Sequence, residues 1–189
     1  MKKLTVTMWI TLDGFIASSD GEMSWLLGDD EMSKYEIGVV SDADTLLLGR
    51  KTYEDFIGYW PHIADNPKAQ DWEKVFGKKL NAMHKVVVSK TLAKAEWGDA
   101  KIMAELVPSE IERLKSESEK GVLIYGSASL VLQLTNLGLV DEYQLLVHPV
   151  VLGSGKRLFQ DVHNTNLKLV ESKAFSSGVV LLTYQPAKK

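Results

Sequence analysis

The chain has 189 residues, with 22 Lys and Arg against 25 Asp and Glu and a net charge of −3. That length fits one domain, residues 1–189, with a substantial core, and the slight acidic balance argues against non-specific nucleic-acid binding. The absence of cysteine excludes a disulfide framework, a thiolate metal site and a cysteine nucleophile, and no stretch reads as a signal peptide or membrane span, so a cytoplasmic protein is expected.

Leu4 to Ile10, rich in Thr, Val and Ile, reads as a strand. Asp13-Gly14 is a turn before the short apolar return Phe15-Ile16-Ala17, and Ser18 to Gly21 is a polar loop. Glu31 to Val40 predicts a helix with Met32, Tyr35 and Val39 near one face. Thr45 to Leu48 is a second, buried strand that stops at Gly49, where the lack of a side chain lets backbone approach a ligand. The residues after it continue as a helix. Its first turn has free N–H groups and the positive end of the dipole, yet it holds Arg50 and Lys51 rather than acidic residues. Cations there are unfavourable unless an anion joins them, and a phosphate is the natural one. An ordinary strand–turn–helix with solvated basic residues is the alternative.

Pro61 to Pro67 reads as a loop, Lys68 to Leu80 as a helix, Lys85 to Ser89 as a third buried strand and Lys101 to Met103 as a short edge strand. Ser109 and Glu112 form a capping box after Pro108, opening a charged helix to about Glu119. Gly121 to Tyr125 is another apolar strand. Gly126 breaks it, and Ser127, Ala128 and Ser129 lead into an apolar helix ending near Leu137. This second strand–glycine–helix junction points to a ligand with more than one phosphate, gripped between the two. Asp141 to Leu152 reads as a long strand interrupted by Pro149. Leu167–Phe175 and Val179–Gln185 form a terminal hairpin. Strands alternating with helices, then strands alone, indicate an α/β fold with a largely parallel sheet and an antiparallel edge. Neither G-x-G-x-x-G nor G-x-S-x-G is present. Gly153-Ser154-Gly155-Lys156 fails as a phosphate loop, with Val150 and Arg157 at required positions. The four histidines have no metal-ligand spacing, and no metal is expected.

In chain order, Thr11-Leu12-Asp13-Gly14-Phe15-Ile16-Ala17, Trp25, Leu48-Gly49-Arg50-Lys51-Thr52-Tyr53, Val87-Val88-Ser89-Lys90 and Tyr125-Gly126-Ser127 resemble the motifs of the dihydrofolate reductase superfamily. Leu137-Gly138-Leu139-Val140-Asp141-Glu142, followed by His148 to Gly155 and Leu158-Phe159, is closer to the C-terminal reductase domain of bacterial riboflavin-biosynthesis proteins, in a stand-alone form. The resemblance implies a three-layer α/β/α fold and an NADPH-dependent reductase acting on a small heterocycle. By position, Gly49, Arg50 and Thr52 would hold cofactor phosphates, and Ser89 and Lys90 the adenosine 2′-phosphate. Gly126, Ser127, Ala128 and Ser129 would cradle the pyrophosphate, with Ile16 and Ala17 on the nicotinamide side. Trp25, Lys34 and Tyr53 would bind substrate. Gly126-Ser127 stands where the family has Gly-Gly, which leaves the cis peptide of that turn open.

Asp30 stands where bacterial dihydrofolate reductases carry their pterin-binding carboxylate, and it would serve the proton delivery that accompanies hydride transfer. The competing reading makes it a helix cap, a role that Asp29, Asp30 and Glu31 all suit. Lys34 replaces an apolar residue of the folate-reducing enzymes and would pair with Asp30 or meet an anionic substrate. Dihydrofolate and the ribosylaminopyrimidine of riboflavin synthesis are the candidate substrates. A non-catalytic NADP-binding sensor and an interaction domain are the other classes. The apolar strand 141–152 needs cover on both faces. A homodimer packing it and the terminal hairpin against a second copy would supply that cover, as the resemblance also implies.

Overall fold

Leu4–Thr11 (β1) alternates in character. Leu4, Val6, Met8 and Ile10 point to one face and Thr5, Thr7, Trp9 and Thr11 to the other, and the strand lies near the middle of an eight-stranded sheet. The computed structural model describes residues 2–187. In chain order β1 is followed by Phe15–Ala17 (β2), Asp30–Ser41 (α1), Thr45–Gly49 (β3), Arg50–Ile57 (α2), a 3-10 turn at Trp60–Asp65, and Asp71–Ala82 (α3). Then come His84–Val88 (β4), Lys101–Met103 (β5), Pro108–Glu117 (α4), Val122–Ile124 (β6) and Ala128–Asn136 (α5). Glu142–His148 (β7), Lys156–Arg157 (β8), Leu167–Ala174 (β9) and Val180–Pro186 (β10) complete the order.

The sheet runs β5-β4-β3-β6-β1-β7-β10-β9. The first six strands are parallel, and β10 and β9 close the edge antiparallel. Helices α4 and α5 bring Ile111, Leu130, Val131 and Leu134 onto the Leu4–Val6–Met8 face. Helices α1 and α3 bring Val39, Val40, Phe76 and Leu80 onto the opposite face. This is the expected three-layer α/β/α architecture.

Three local expectations differ from the structure. The capping box at Ser109 and Glu112 does not form, because Pro108 takes the first helical position and Val107 becomes an N-cap without a side-chain bond. A capping box does form on α3, where Glu73 Oε2 accepts from Gln70 N at 2.8 Å. The long strand stops at His148, because Pro149 has no N–H for the ladder. Residues 150–152 leave the sheet. Leu12 N donates to Val150 O, and Leu152 N and Gly153 N both donate to the Asp13 carboxylate. Both faces of β7 are covered within the chain, Leu145 by the α4–α5 core and Leu146 by Met32, Phe175 and Leu181. That strand therefore makes no demand on a second copy. Among the described residues, no helix is long and apolar enough to cross a membrane.

His148 is fully buried at the end of β7, and its Nδ1 accepts from Leu27 N at 3.2 Å. Burial pushes its imidazole down to about 4. The unfolded chain binds that proton near pH 6.5, so stability is complete above 6.5 and is lost as pH falls toward 4, by roughly 3 kcal/mol in all. Urea unfolding from pH 7.5 to 4.0 should show this loss in the wild type and a clearly smaller one in His148→Gln. Equal slopes would contradict the assignment.

Candidate active site

Strands β3 and β6 are parallel neighbours, so their ends, and the helices that follow, lie at the same edge of the sheet. Gly49 is the N-cap of α2, without a side-chain bond, and no acidic residue occupies that helix's first turn. Ser127 is the N-cap of α5. Gly126 has φ +119°, and the Gly126–Ser127 peptide is cis. The two junctions touch, with Gly49 N donating to Gly126 O at 3.1 Å. A Cβ on Gly49 would stand 2.3 Å from Ser127 Oγ, and one on Gly126 would stand 2.9 Å from Thr52 Oγ1. Glycine is thus required at both places, and the free N–H groups of α2 and α5 open onto one cleft.

The polar half of this cleft is a cavity of about 270 Å³ bordered by Gly49, Arg50, Ser89, Lys90, Ser127 and Ser129. The apolar half, about 240 Å³, is walled by Trp9, Ile16, Ala17, Met23, Phe56 and Tyr125. Lys51, Ser127 and Lys156 border both, which makes the halves neighbours. Arg50 pairs with Glu54 at 2.8 Å, Lys51 with Asp55 at 2.7 Å and Lys90 with Glu105. All are exposed pairs of the kind that contributes little to stability and exchanges readily for a stronger anion. Ser89 Oγ accepts from Leu92 N and so turns the chain after β4.

The residues expected at the cofactor come together. Gly49, Arg50, Ser89, Lys90, Ser127 and Ser129 line the polar half, while Ile16, Ala17, Thr52 and Gly126 line the apolar one. Ala128 turns its methyl into the core and offers only its backbone. The substrate-side set is not brought together. Tyr53 is buried in the core, its hydroxyl accepting from Glu96 N at 2.7 Å. Trp25 packs edge-on against His148, with ring centroids 5.1 Å apart. Asp30 and Lys34 are exposed on α1, unpaired with each other.

The cap of α1 is Asp29, whose Oδ1 accepts from Met32 N at 2.8 Å. Its Oδ2 accepts from Ser177 N and Ser176 Oγ, and these bonds hold the carboxyl well below the usual range. Sequence reasoning missed Trp9, Met23, Phe56 and Tyr125 as wall residues. The available signal for Trp9 and Tyr125 was their place at the C-terminal ends of parallel strands, where α/β sheets bind ligands. Behind the wall, Trp9 Nε1 donates to Glu36 Oε1 at 2.7 Å, and burial pushes the Glu36 carboxyl up to about 7.

The family model for the RibD C-terminal domain matches residues 2–181. The Bacillus subtilis protein YyaP is 38% identical over 184 residues, covering 97% of this chain and 94% of its own. Among solved structures, the Thermotoga maritima diaminohydroxyphosphoribosylaminopyrimidine deaminase/5-amino-6-(5-phosphoribosylamino)uracil reductase superposes with a TM-score of 0.68 at 16% identity. The match covers 98% of this chain and 57% of that one. Enterococcus faecalis dihydrofolate reductase complexed with NADP(H) superposes with a TM-score of 0.64 at 16% identity, over 98% and 97% of the two chains.

The contact between the two junctions is testable without a ligand. Gly49→Ala should destabilise the fold by about 1–3 kcal/mol through the clash with Ser127. In a Ser127→Gly background the same change should cost markedly less. Additive thermal-unfolding effects would show that the two junctions do not touch.

Proposed function

The chain belongs to the RibD C-terminal domain family, and we propose that it is an NADPH-dependent reductase transferring a hydride to a pteridine, pyrimidine or related heterocycle. The observation that carries this reading is the pair of glycine-tight helix N-termini opening onto one basic cleft that runs into an aromatic pocket. The cradle fits the cofactor, because the close approach that Gly49 and Gly126 allow between the two junctions sets the free N–H groups of α2 and α5 side by side. In this reading Gly49, Arg50, Thr52, Gly126, Ser127, Ala128 and Ser129 hold the pyrophosphate region. Ser89 and Lys90 hold the 2′-phosphate, and Ile16 and Ala17 flank the nicotinamide. Bound NADPH supplies the hydride.

The protein binds, orients and excludes water. Trp9, Phe56 and Tyr125 offer flat apolar surface to a planar ring. Lys156, which has no ion-pair partner among the described residues, and Lys51 stand where both halves meet, suited to an anionic group on the substrate. The two lysines at this border favour the phosphoribosyl-pyrimidine class named for the Thermotoga protein, whose phosphate they suit. The second reading, an NADP-binding sensor without turnover, draws on the exposed position of Asp30, the residue expected to serve proton delivery.

NADPH should bind roughly tenfold more tightly than NADH, the order expected for one charge-assisted contact already in competition with a surface ion pair. Lys90→Ala and Arg50→Ala should each narrow that preference in a fluorescence titration. Equal dissociation constants for the two cofactors would end the NADPH assignment. NADPH oxidation across a panel of pteridines and ribosylated pyrimidines separates the reductase from the sensor.

We also retain a homodimer as a proposal, moved from β7 to the edge strand β9, where Leu169 and Val170 are 48% and 53% exposed. Light scattering should then give twice 21.0 kDa. Leu169→Lys should shift it toward the single chain, and a wild-type monomer at micromolar concentration would defeat the proposal.

A further inference from the structure

Helix α1 buries four residues, Met32, Glu36, Val39 and Val40, and one of them is a carboxylic acid. Glu36 is 4% exposed. Its Oε1 accepts from the indole Nε1 of Trp9, 27 residues earlier on β1, and no other hydrogen bond reaches the carboxyl among the described residues. Trp9 sits on the face of β1 beneath α1, and its ring is a wall of the apolar half of the cleft. Glu36 therefore stands one residue behind the surface that a ligand meets.

Two neutral phenols stand beside this carboxyl. On its own helix Tyr35 has a buried hydroxyl without a partner, and beyond β6 Tyr125 has another. Burial raises both phenols well out of the physiological range, with Glu36 adding to the shift in each. Glu142 of β7 and Glu171 of β9 also act on Tyr35. No cation pairs with Glu36 among the described residues. A lone buried carboxylate is costly, so burial favours the protonated form and brings the equilibrium close to neutral pH. The Trp9 N–H has an acceptor in either state, but the bond to the ionised form is shorter and stronger. The Trp9 and Tyr125 rings stand beside each other in the pocket wall, with centroids 6.4 Å apart.

We propose that Glu36 is a positioning residue of the cleft: its carboxyl fixes the Trp9 ring as the pocket wall, and a change in its protonation alters that hold. The proposal rests on the reductase reading only for the identity of what packs against Trp9.

The test uses the full chain, labelled with ¹⁵N, and reads the indole N–H signals of its five tryptophans. Loss of one signal in Trp9→Phe identifies Trp9. That signal should move with pH, with a midpoint between about 6 and 8. Glu36→Gln keeps an acceptor for the indole, so it should hold the Trp9 signal near its low-pH position and abolish the movement. Glu36→Leu should also lose the hydrogen-bonded shift, and should it fail to fold, the wild type and Glu36→Gln decide between them. The signals of Trp25, Trp60, Trp72 and Trp97 should respond to pH alike in the wild type and Glu36→Gln. A Trp9 signal that stays fixed from pH 5 to 9, or one that still titrates in Glu36→Gln, overturns the proposal. NADPH titrated into the same samples tests the cofactor reading separately, since its absence of binding would leave the Trp9 titration standing.

Discussion

The approach of two strand ends governs this molecule. Because β3 and β6 are adjacent and parallel, their following helices start side by side, and the Gly49–Gly126 hydrogen bond holds those starts in contact. Two helix N-termini at such range put partial positive charges together, and Arg50 and Lys51 add full ones. The chain offsets the excess locally through Arg50–Glu54 and Lys51–Asp55, each one helical turn apart. Exposed pairs of this kind are weak enough to give way to a phosphate, so the same residues serve the protein with and without an anion. On the polar side this contact places Gly49, Arg50, Ser127 and Ser129, the turn at Ser89 places Lys90, and the pairing of β8 with β2 places Lys156.

The two faces of the sheet are built differently. The face under α4 and α5 is apolar along β1, while the face under α1 carries a polar track. Thr7 Oγ1 donates to Gln144 Oε1, Gln144 Nε2 to Glu142 Oε1, and Lys3 Nζ to Glu142 Oε2. Burial opposes ionisation of Glu142, but the bonds from Lys3, Gln185 and Gln144 outweigh it and hold the carboxyl below its ordinary value. Glu36, on α1 itself and with one neutral donor, moves the other way. The contrast follows from burial and donors together: Glu36 is the more deeply buried and has one neutral donor, while Glu142 has three donors, one of them a cation.

Much of this was legible in the sequence. Alternation in Leu4–Thr11, the apolar runs ending at Gly49 and Gly126, and the terminal hairpin at Ser176-Ser177-Gly178 each follow from local chemistry, and the resemblance put them in order. What escaped depends on contacts across the sheet. Tyr53 reads as part of a binding motif, but the register of α2 on the sheet turns it into the core. Glu36 carries no signal in the sequence, because its partner Trp9 is named only by the packing of α1 over β1. The strand read over 141–152 needs cover that the local sequence does not name, because Phe175, Val179 and Leu181, which supply it, come from a hairpin about thirty residues later.

The position of Asp30 follows from the rotation of α1. Asp29 is pinned as the cap by Met32 N on one side and by Ser176 and Ser177 of the terminal turn on the other. Once the cap is set, each residue advances about 100° around the helix. Met32, Glu36, Val39 and Val40 then fall on one side and face the sheet. Asp30 lies roughly 135° from the middle of that face and Lys34 nearly opposite it, which is why both are exposed. The carboxyl that the helix does turn inward is Glu36, behind Trp9. The hairpin turn that binds Asp29 thus decides, from the far edge of the sheet, which acid of α1 stands nearest the cleft.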